Sequence, residues 1–135
     1  MARYAMIKHY RGAPASVNDV QMGRWSPEEV TAHVDFMNAF ADRLRETGEF
    51  VDSAALAPEG VFVRSEGPGE PPRVDGRIPE SKALVAGWMI IDVESEERAR
   101  ELAAELSAAP GAGGEPVGEW LELRPYYGVP GTTTV

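Results

Sequence analysis

The stretch Asp75-Gly76-Arg77-Ile78-Pro79-Glu80-Ser81-Lys82 decides the fold prediction, because a regular series of elements follows it. Residues 86–93 are the most apolar segment of the chain. They are too short for a typical helix and rich in isoleucine, valine and tryptophan, so they predict a central strand. Ser95 then caps a helix with Glu96 and Glu97 in its first turn, where the helix dipole favours negative charge. Residues 119–124 predict a closing strand.

The N-terminal half predicts a matching series of elements. Residues 2–9 alternate with a period of two, as a strand does. Ser26-Pro27-Glu28-Glu29 is a capping box with proline at the first helical position, and Gly48 is placed to end the helix. Between strand and helix, residues 11–25 form a long loop, either a lid or a floppy connection.

Two further strands, over residues 49–56 and 61–65, are predicted around a turn at 57–60. Residues 67–72 predict a hairpin tip or loop. One domain spans residues 1–128, and residues 129–135 form a C-terminal tail. Together these elements predict one domain with the βαββαβ order of strands and helices.

Composition excludes several classes of protein. The chain has 135 residues, of which 43% are hydrophobic, so it is long enough and apolar enough for one globular core. It has no cysteine, which excludes disulfides and cysteine-based zinc sites. A net charge of −9 with scattered basic residues argues against nucleic acid as a partner. No apolar run resembles a signal peptide or a membrane span, so we expect a cytoplasmic protein without a membrane partner.

The loop and the strands around it resemble the YCII-related family, in the subgroup named for an Asp-Gly-Pro-Phe motif. That subgroup typically has Asp-Gly-Pro-Phe-x-Glu-x-Lys-Glu in this loop. The positions that match are Asp75, Gly76, Glu80 and Lys82, then Gly87-Trp88, Asp92-Val93, Glu122 and Arg124-Pro125. The positions that depart from the pattern are Arg77, Ile78, Ala83 and Leu123. The resemblance implies an α+β protein with a ferredoxin-like βαββαβ fold: an antiparallel sheet, two helices on one face, and a dimeric α+β barrel.

The predicted sheet also favours a homodimer on physical grounds. Two helices cover only one face of a four-stranded sheet. The other face carries Trp120 and either Trp88 or Met89 by the alternation of the strands. An exposed apolar patch of that kind is unusual in monomers, and packing two sheets face to face with two-fold symmetry removes it.

The strongest candidate site lies on the last strand. Glu122 and Arg124 share the side of Trp120, so they become buried charges if that side lines a dimer barrel. Buried charges need partners, which are neighbours or a ligand. His9 ends the first strand and is able to approach the same region.

His33 is the second candidate, because the resemblance implies a histidine on the first helix that pairs with an aspartate as a catalytic dyad. In this chain the region that supplies the aspartate reads Ala109-Pro110, so the acid is missing. The alternative is a histidine packed in the core.

Asp75, Glu80, Lys82 and Trp120 are candidates for ligand binding at a cavity mouth, where Lys82 and Arg124 supply positive charge and Glu80 or Glu122 supplies a base. The alternatives are solvated loop residues, or an ion pair from Asp75 or Glu80 to Arg124 that pins the loop. No metal site or other cofactor is indicated, since His9 and His33 stand far apart and no phosphate-binding loop is present.

Two functions are consistent with this pattern. The first is a small-molecule enzyme with acid–base residues in a cavity, of lyase, isomerase or hydrolase type. The alternative is a non-catalytic protein that binds a small ligand or assists a partner through the same cavity.

Overall fold

The computed structural model describes residues 1–128 of the chain, so the predicted tail at 129–135 lies outside the described residues. The elements in chain order are β1 Ala2–Arg11, α1 Pro27–Thr47, β2 Phe50–Ala55, β3 Val61–Arg64, β4 Arg73–Arg77, β5 Leu84–Val93, α2 Glu96–Ser107 and β6 Glu122–Pro125. Two short 3₁₀ turns, Met22–Arg24 and Ala112–Gly114, lie in the connections.

The main sheet has four antiparallel strands in the order β2-β5-β1-β6. Both helices pack on one face of it, around a core whose largest fully buried side chains are Met6, Leu44, Ile91, Val93, Leu102 and Leu106. The predicted α+β, ferredoxin-like architecture is confirmed. Within residues 1–128, no helix combines the length and the apolar character that crossing a membrane requires.

Helix α1 begins and ends where its sequence signals predict. The Ser26 hydroxyl accepts a hydrogen bond from the Glu29 amide, and the Glu29 carboxylate accepts one from the Ser26 amide. Backbone hydrogen bonds from Ser26 and Gly113 lower the pKa of Glu29. At the other end Gly48 has φ of 80°, a left-handed conformation that favours glycine.

Replacing Ser26 by alanine is expected to lower the free energy of unfolding by about 1 kcal/mol, because one helix-end amide loses its acceptor. Urea denaturation measures this change. Ser26→Asp, which keeps a side-chain acceptor, should restore most of the loss. Equal destabilisation by both variants would contradict the capping role.

The alternation of β5 decides which of Trp88 and Met89 faces away from the helices. Met89 is 5% exposed and belongs to the core, so Trp88 lies on the opposite face. Trp88 is paired with Ile7 of β1 and with Ala54 of β2. Ile7 is paired in turn with Glu122 of β6. We call this side of the main sheet the open face, because both helices pack on the other side.

A second sheet corrects the prediction for residues 61–77. Strand β3 pairs with β4 and not with β2, and the two form a separate two-stranded hairpin. Asp75, Gly76 and Arg77 therefore lie in a strand, although Asp-Gly is a common turn signature. The chain reverses earlier, at Gly67 and Gly69, whose positive φ angles form the predicted hairpin tip. The reversal there leaves residues 73–77 free to pair with 61–64.

The long segment between β1 and α1 is attached to the body of the protein. The amides of Val17 and Asn18 donate to the carbonyl oxygens of Gly118 and Val117, at 3.3 and 2.9 Å. The Asn18 side chain donates to the Ala112 carbonyl at 3.0 Å. These hydrogen bonds attach residues 17 and 18 to the connection between α2 and β6.

Candidate functional site

A histidine–carboxylate pair lies at the end of β1. His9 Nε2 is 2.8 Å from Glu122 Oε1, and the His9 side chain is only 13% exposed. An ionised carboxylate only accepts hydrogen bonds, so Nε2 carries the ring proton and donates a hydrogen bond to Glu122. In the neutral ring this tautomer leaves the lone pair on Nδ1. That nitrogen is buried and has no hydrogen-bond partner among residues 1–128.

Arg124 contacts the other oxygen of the same carboxylate. Its Nε lies 3.6 Å from Glu122 Oε2, and its side chain is 69% exposed. The distance is that of an ion pair rather than a hydrogen bond. Glu122 thus lies between a histidine and an arginine, and the two predicted charges are partly exposed in the protomer rather than buried.

His9 lines a cavity of about 230 Å³ at this end of the sheet. Trp120 and Glu119 form part of its wall, and residues 13–16 of the segment after β1 form another part. Trp120 itself is 63% exposed and precedes β6, so the predicted closing strand begins later than expected. The cavity is smaller than a typical drug-sized site, so it suits a small ligand.

A second ion pair stands on the helix side of β1. Lys8 Nζ lies 3.2 Å from Glu119 Oε1, and the two side chains are 19% and 25% exposed. Glu119 Oε1 has no well-directed hydrogen bond among the described residues, so the contact is mainly electrostatic. An incompletely satisfied carboxylate in a cavity wall is a candidate for contact with a ligand.

His33 is packed rather than paired with a carboxylate. Its Nδ1 donates to the Pro110 carbonyl at 2.9 Å, and its ring meets Trp25 edge-on with 5.2 Å between the centroids. Burial is the main cause that lowers the pKa of His33, and the hydrogen bond to Pro110 acts in the opposite direction. The geometry agrees with the packed alternative.

The three loop candidates are not brought together. Asp75 lies on the exposed hairpin, and Glu80 lines a separate cavity with Arg11 and Arg77. Lys82 contributes its backbone carbonyl, which accepts a hydrogen bond from Arg11 Nε at 2.6 Å. Within residues 1–128 neither Asp75 nor Glu80 forms an ion pair with Arg124. The predicted pinning of the loop to the sheet is therefore made by Arg11, which also donates to the Pro79 carbonyl at 2.9 Å.

The sequence places His9 near the candidate strand but does not single out Lys8 as a site residue. The signal for Lys8 was present: it breaks the apolar series of Tyr4 and Met6 on the face that packs against the helices. The approach of His9 to Glu122 depends on the register of β1 with β6, which the sequence does not give. Among the described residues there is no group of three potential ligands that could hold a metal ion.

Comparison with known proteins agrees with this architecture. A search of curated proteins finds no match. The family model described as the YCII-related domain matches residues 2–120, which is most of the chain. The chain belongs to the YCII-related family.

Proposed function

We propose that the protein is a small-molecule enzyme in which His9 transfers a proton and Glu122 orients it. The observation that carries this proposal is the 2.8 Å contact of His9 Nε2 with Glu122, combined with a buried Nδ1 that has no hydrogen-bond partner within residues 1–128. A histidine held by a carboxylate is a common arrangement for a general base near neutral pH.

The chemistry follows from the tautomer. The Nδ1 lone pair accepts a proton from a substrate, and the imidazolium that forms is stabilised by the adjacent Glu122 carboxylate. The same Nδ1–H then returns the proton to a different substrate atom or to the leaving group. Arg124, at 3.6 Å from the second Glu122 oxygen, opposes rotation of that carboxylate away from His9.

Access to Nδ1 involves the segment after β1. Nδ1 is buried in this structure, and residues 13–16 line the same cavity as His9. A connection of this length beside a cavity is commonly a lid. Since Val17 and Asn18 are held by Gly118 and Val117, the part that moves is the stretch 12–16. Its displacement admits the substrate and its return excludes water.

The wild-type protein tests this proposal without knowledge of the full reaction. Small 2-oxo acids, 3-oxo acids and lactones with acidic C–H bonds are incubated with it in deuterium oxide, and proton NMR follows loss of the C–H signal. We expect one class to exchange faster than in buffer alone. If a compound raises the melting temperature but never exchanges, the protein is the non-catalytic binding protein of the alternative. His33 favours that alternative, because it has a carbonyl partner in place of a carboxylate.

We further propose that the protein is a homodimer joined through the open faces of two sheets. Ile7 and Trp88 lie at the centre of this face and remain half-buried, and both described helices pack on the other side. The charged pairs Arg3–Asp92 and Glu122–Arg124 flank them. An apolar centre with a polar rim is the usual composition of an interface between copies, and a two-fold axis pairs the same face of both copies.

Light scattering at low micromolar concentration is expected to give twice the 14.6 kDa protomer mass. Ile7→Glu, which places a charge at the centre of the face, should halve that mass. Val63→Glu on the hairpin is the control, since Val63 is 59% exposed and away from the sheet. A wild-type mass near 14.6 kDa would contradict the proposed dimer.

A further inference from the structure

A cleft of about 360 Å³ lies between α1 and the main sheet, apart from the His9 cavity. Its apolar wall includes the side chains of Met6, Met37 and Met89, which come from β1, α1 and β5. Methionine is flexible and polarisable, so a wall of this kind adapts to ligands of different shape. The volume lies at the lower end of the range for small-molecule sites.

The polar residues of the cleft have one sign of charge. Lys8 and Arg45 line it, together with the neutral Asn38 and Ser53. No aspartate or glutamate is among its lining residues in the described part of the chain, although the protein carries 22 acidic residues and a net charge of −9. The carboxylate partners of these two cations, Glu119 and Asp42, lie outside this lining, so the wall of the cleft itself presents only positive charge, and such a wall attracts anions.

Lys8 has hydrogen-bonding capacity to spare. Its ammonium has three N–H donors. One side is taken by Glu119 at 3.2 Å, and the Met37 sulfur lies 3.5 Å away. A thioether is a weak acceptor, so an anionic oxygen that takes its place forms the stronger, charge-assisted bond. Arg45 lies two helical turns beyond Met37, about 12 Å along the axis. Within residues 1–128 its ion-pair partner is the exposed Asp42, at 2.8 Å, and its guanidinium also lies over the Phe50 ring, 4.3 Å from the centroid.

We propose that this cleft binds a small organic acid with an apolar body. The carboxylate takes the place of the Met37 sulfur on Lys8, the apolar body lies against the three methionines, and Arg45 adds positive potential at the far end. This site differs from the proposed proton-transfer site. Lys8 points toward the helices and contacts Met37, whereas the His9 side chain pairs with Glu122 on β6.

Methionine methyl NMR tests the proposal directly. The chain has five methionines, and Met1 and Met22 lie outside the cleft as internal controls. The probes are 4-phenylbutanoate and 4-phenylbutylamine, which share a carbon skeleton and differ in the charge of the head group. We expect the acid to shift the methyl signals of Met6, Met37 and Met89, and the amine to bind much more weakly.

Variants separate the head-group contact from the cleft itself. Lys8→Gln should weaken acid binding at least about tenfold, because a charge-assisted hydrogen bond is lost. Lys82→Gln, at the other lysine of the chain, should bind like the wild type. If Lys8→Gln does not fold, Ser53→Trp tests whether the acid binds in the cleft. The tryptophan side chain fills the cleft from an exposed position of β2 and should abolish binding of the acid.

Three results would overturn the proposal: equal binding of acid and amine, shifts of Met1 and Met22 as large as those in the cleft, or full binding by Ser53→Trp. Because His9→Gln leaves the cleft intact, it should retain acid binding. The methionine methyl shifts thus test the cleft, and the deuterium exchange tests the proton-transfer site, so one proposal is able to fail without the other.

Discussion

Replacing His9 by glutamine is expected to lower the enzyme-catalysed C–H exchange rate by about 10²- to 10⁴-fold, the usual contribution of a positioned general base. Glutamine keeps a hydrogen bond toward Glu122 but has no lone pair that accepts a proton near neutral pH. The measurement is the rate of deuterium incorporation under saturating substrate, for variants whose melting curves show that they are folded.

His33→Gln is the matched control, because it changes the other histidine of the chain in the same way. It should leave the exchange rate within a few-fold of the wild type and instead lower stability, since the Pro110 hydrogen bond and the contact with Trp25 are altered. The opposite pattern, in which His33→Gln loses exchange and His9→Gln keeps it, would move the base to α1 and contradict the assignment.

Replacing Glu49 by glutamine is expected to lower the free energy of unfolding by about 3 kcal/mol, near the lower bound for removing one partner of a buried ion pair. Arg98 donates two hydrogen bonds to the Glu49 carboxylate, from Nε to Oε2 at 2.9 Å and from Nη2 to Oε1 at 3.0 Å. Thr47 donates a third at 2.8 Å. Arg98 is 30% exposed, so water relieves part of the loss and the estimate stays at the lower bound.

Glu101→Gln is the control, because it removes a carboxylate from the same arginine. Glu101 contacts Arg98 at 3.3 Å and is 65% exposed, so its loss should cost no more than about 1 kcal/mol. Chemical denaturation at neutral pH compares the two variants. Equal losses would show that the arginine, and not the buried position of Glu49, determines the effect.

The contribution of Glu49 should also depend on pH. The hydrogen bonds from Arg98 are the main cause that lowers its pKa below the ordinary value of 4.5. A carboxyl group with a lowered pKa in the folded state contributes stability above the unfolded pKa, and this is lost as the pH falls through the folded value. The stability difference between wild type and Glu49→Gln is therefore expected to be constant from pH 7 to about 5 and to shrink below 4.5.

The candidate site was only partly predictable. Glu122 and Arg124 were identified from their spacing on one strand face, and the structure places them in contact with each other. Their functional neighbour His9 is 113 positions earlier in the chain, and only sheet register brings it to 2.8 Å from Glu122. The family resemblance implied a role for His33, but its Nδ1 donates to the Pro110 carbonyl and its ring packs edge-on against Trp25.

The sequence by itself determined the elements whose signals are local. The capping box at Ser26, the left-handed Gly48 and the acidic first turn after Ser95 each act within one helical turn, so they fix the helix limits without long-range contacts. Strand alternation likewise assigned Leu123 to the core side and Glu122 to the other. Tertiary structure alone decided strand partners. Residues 61–64 pair with 73–77, Lys8 meets Glu119, and His9 meets Glu122, because register is a property of two segments and not of either one.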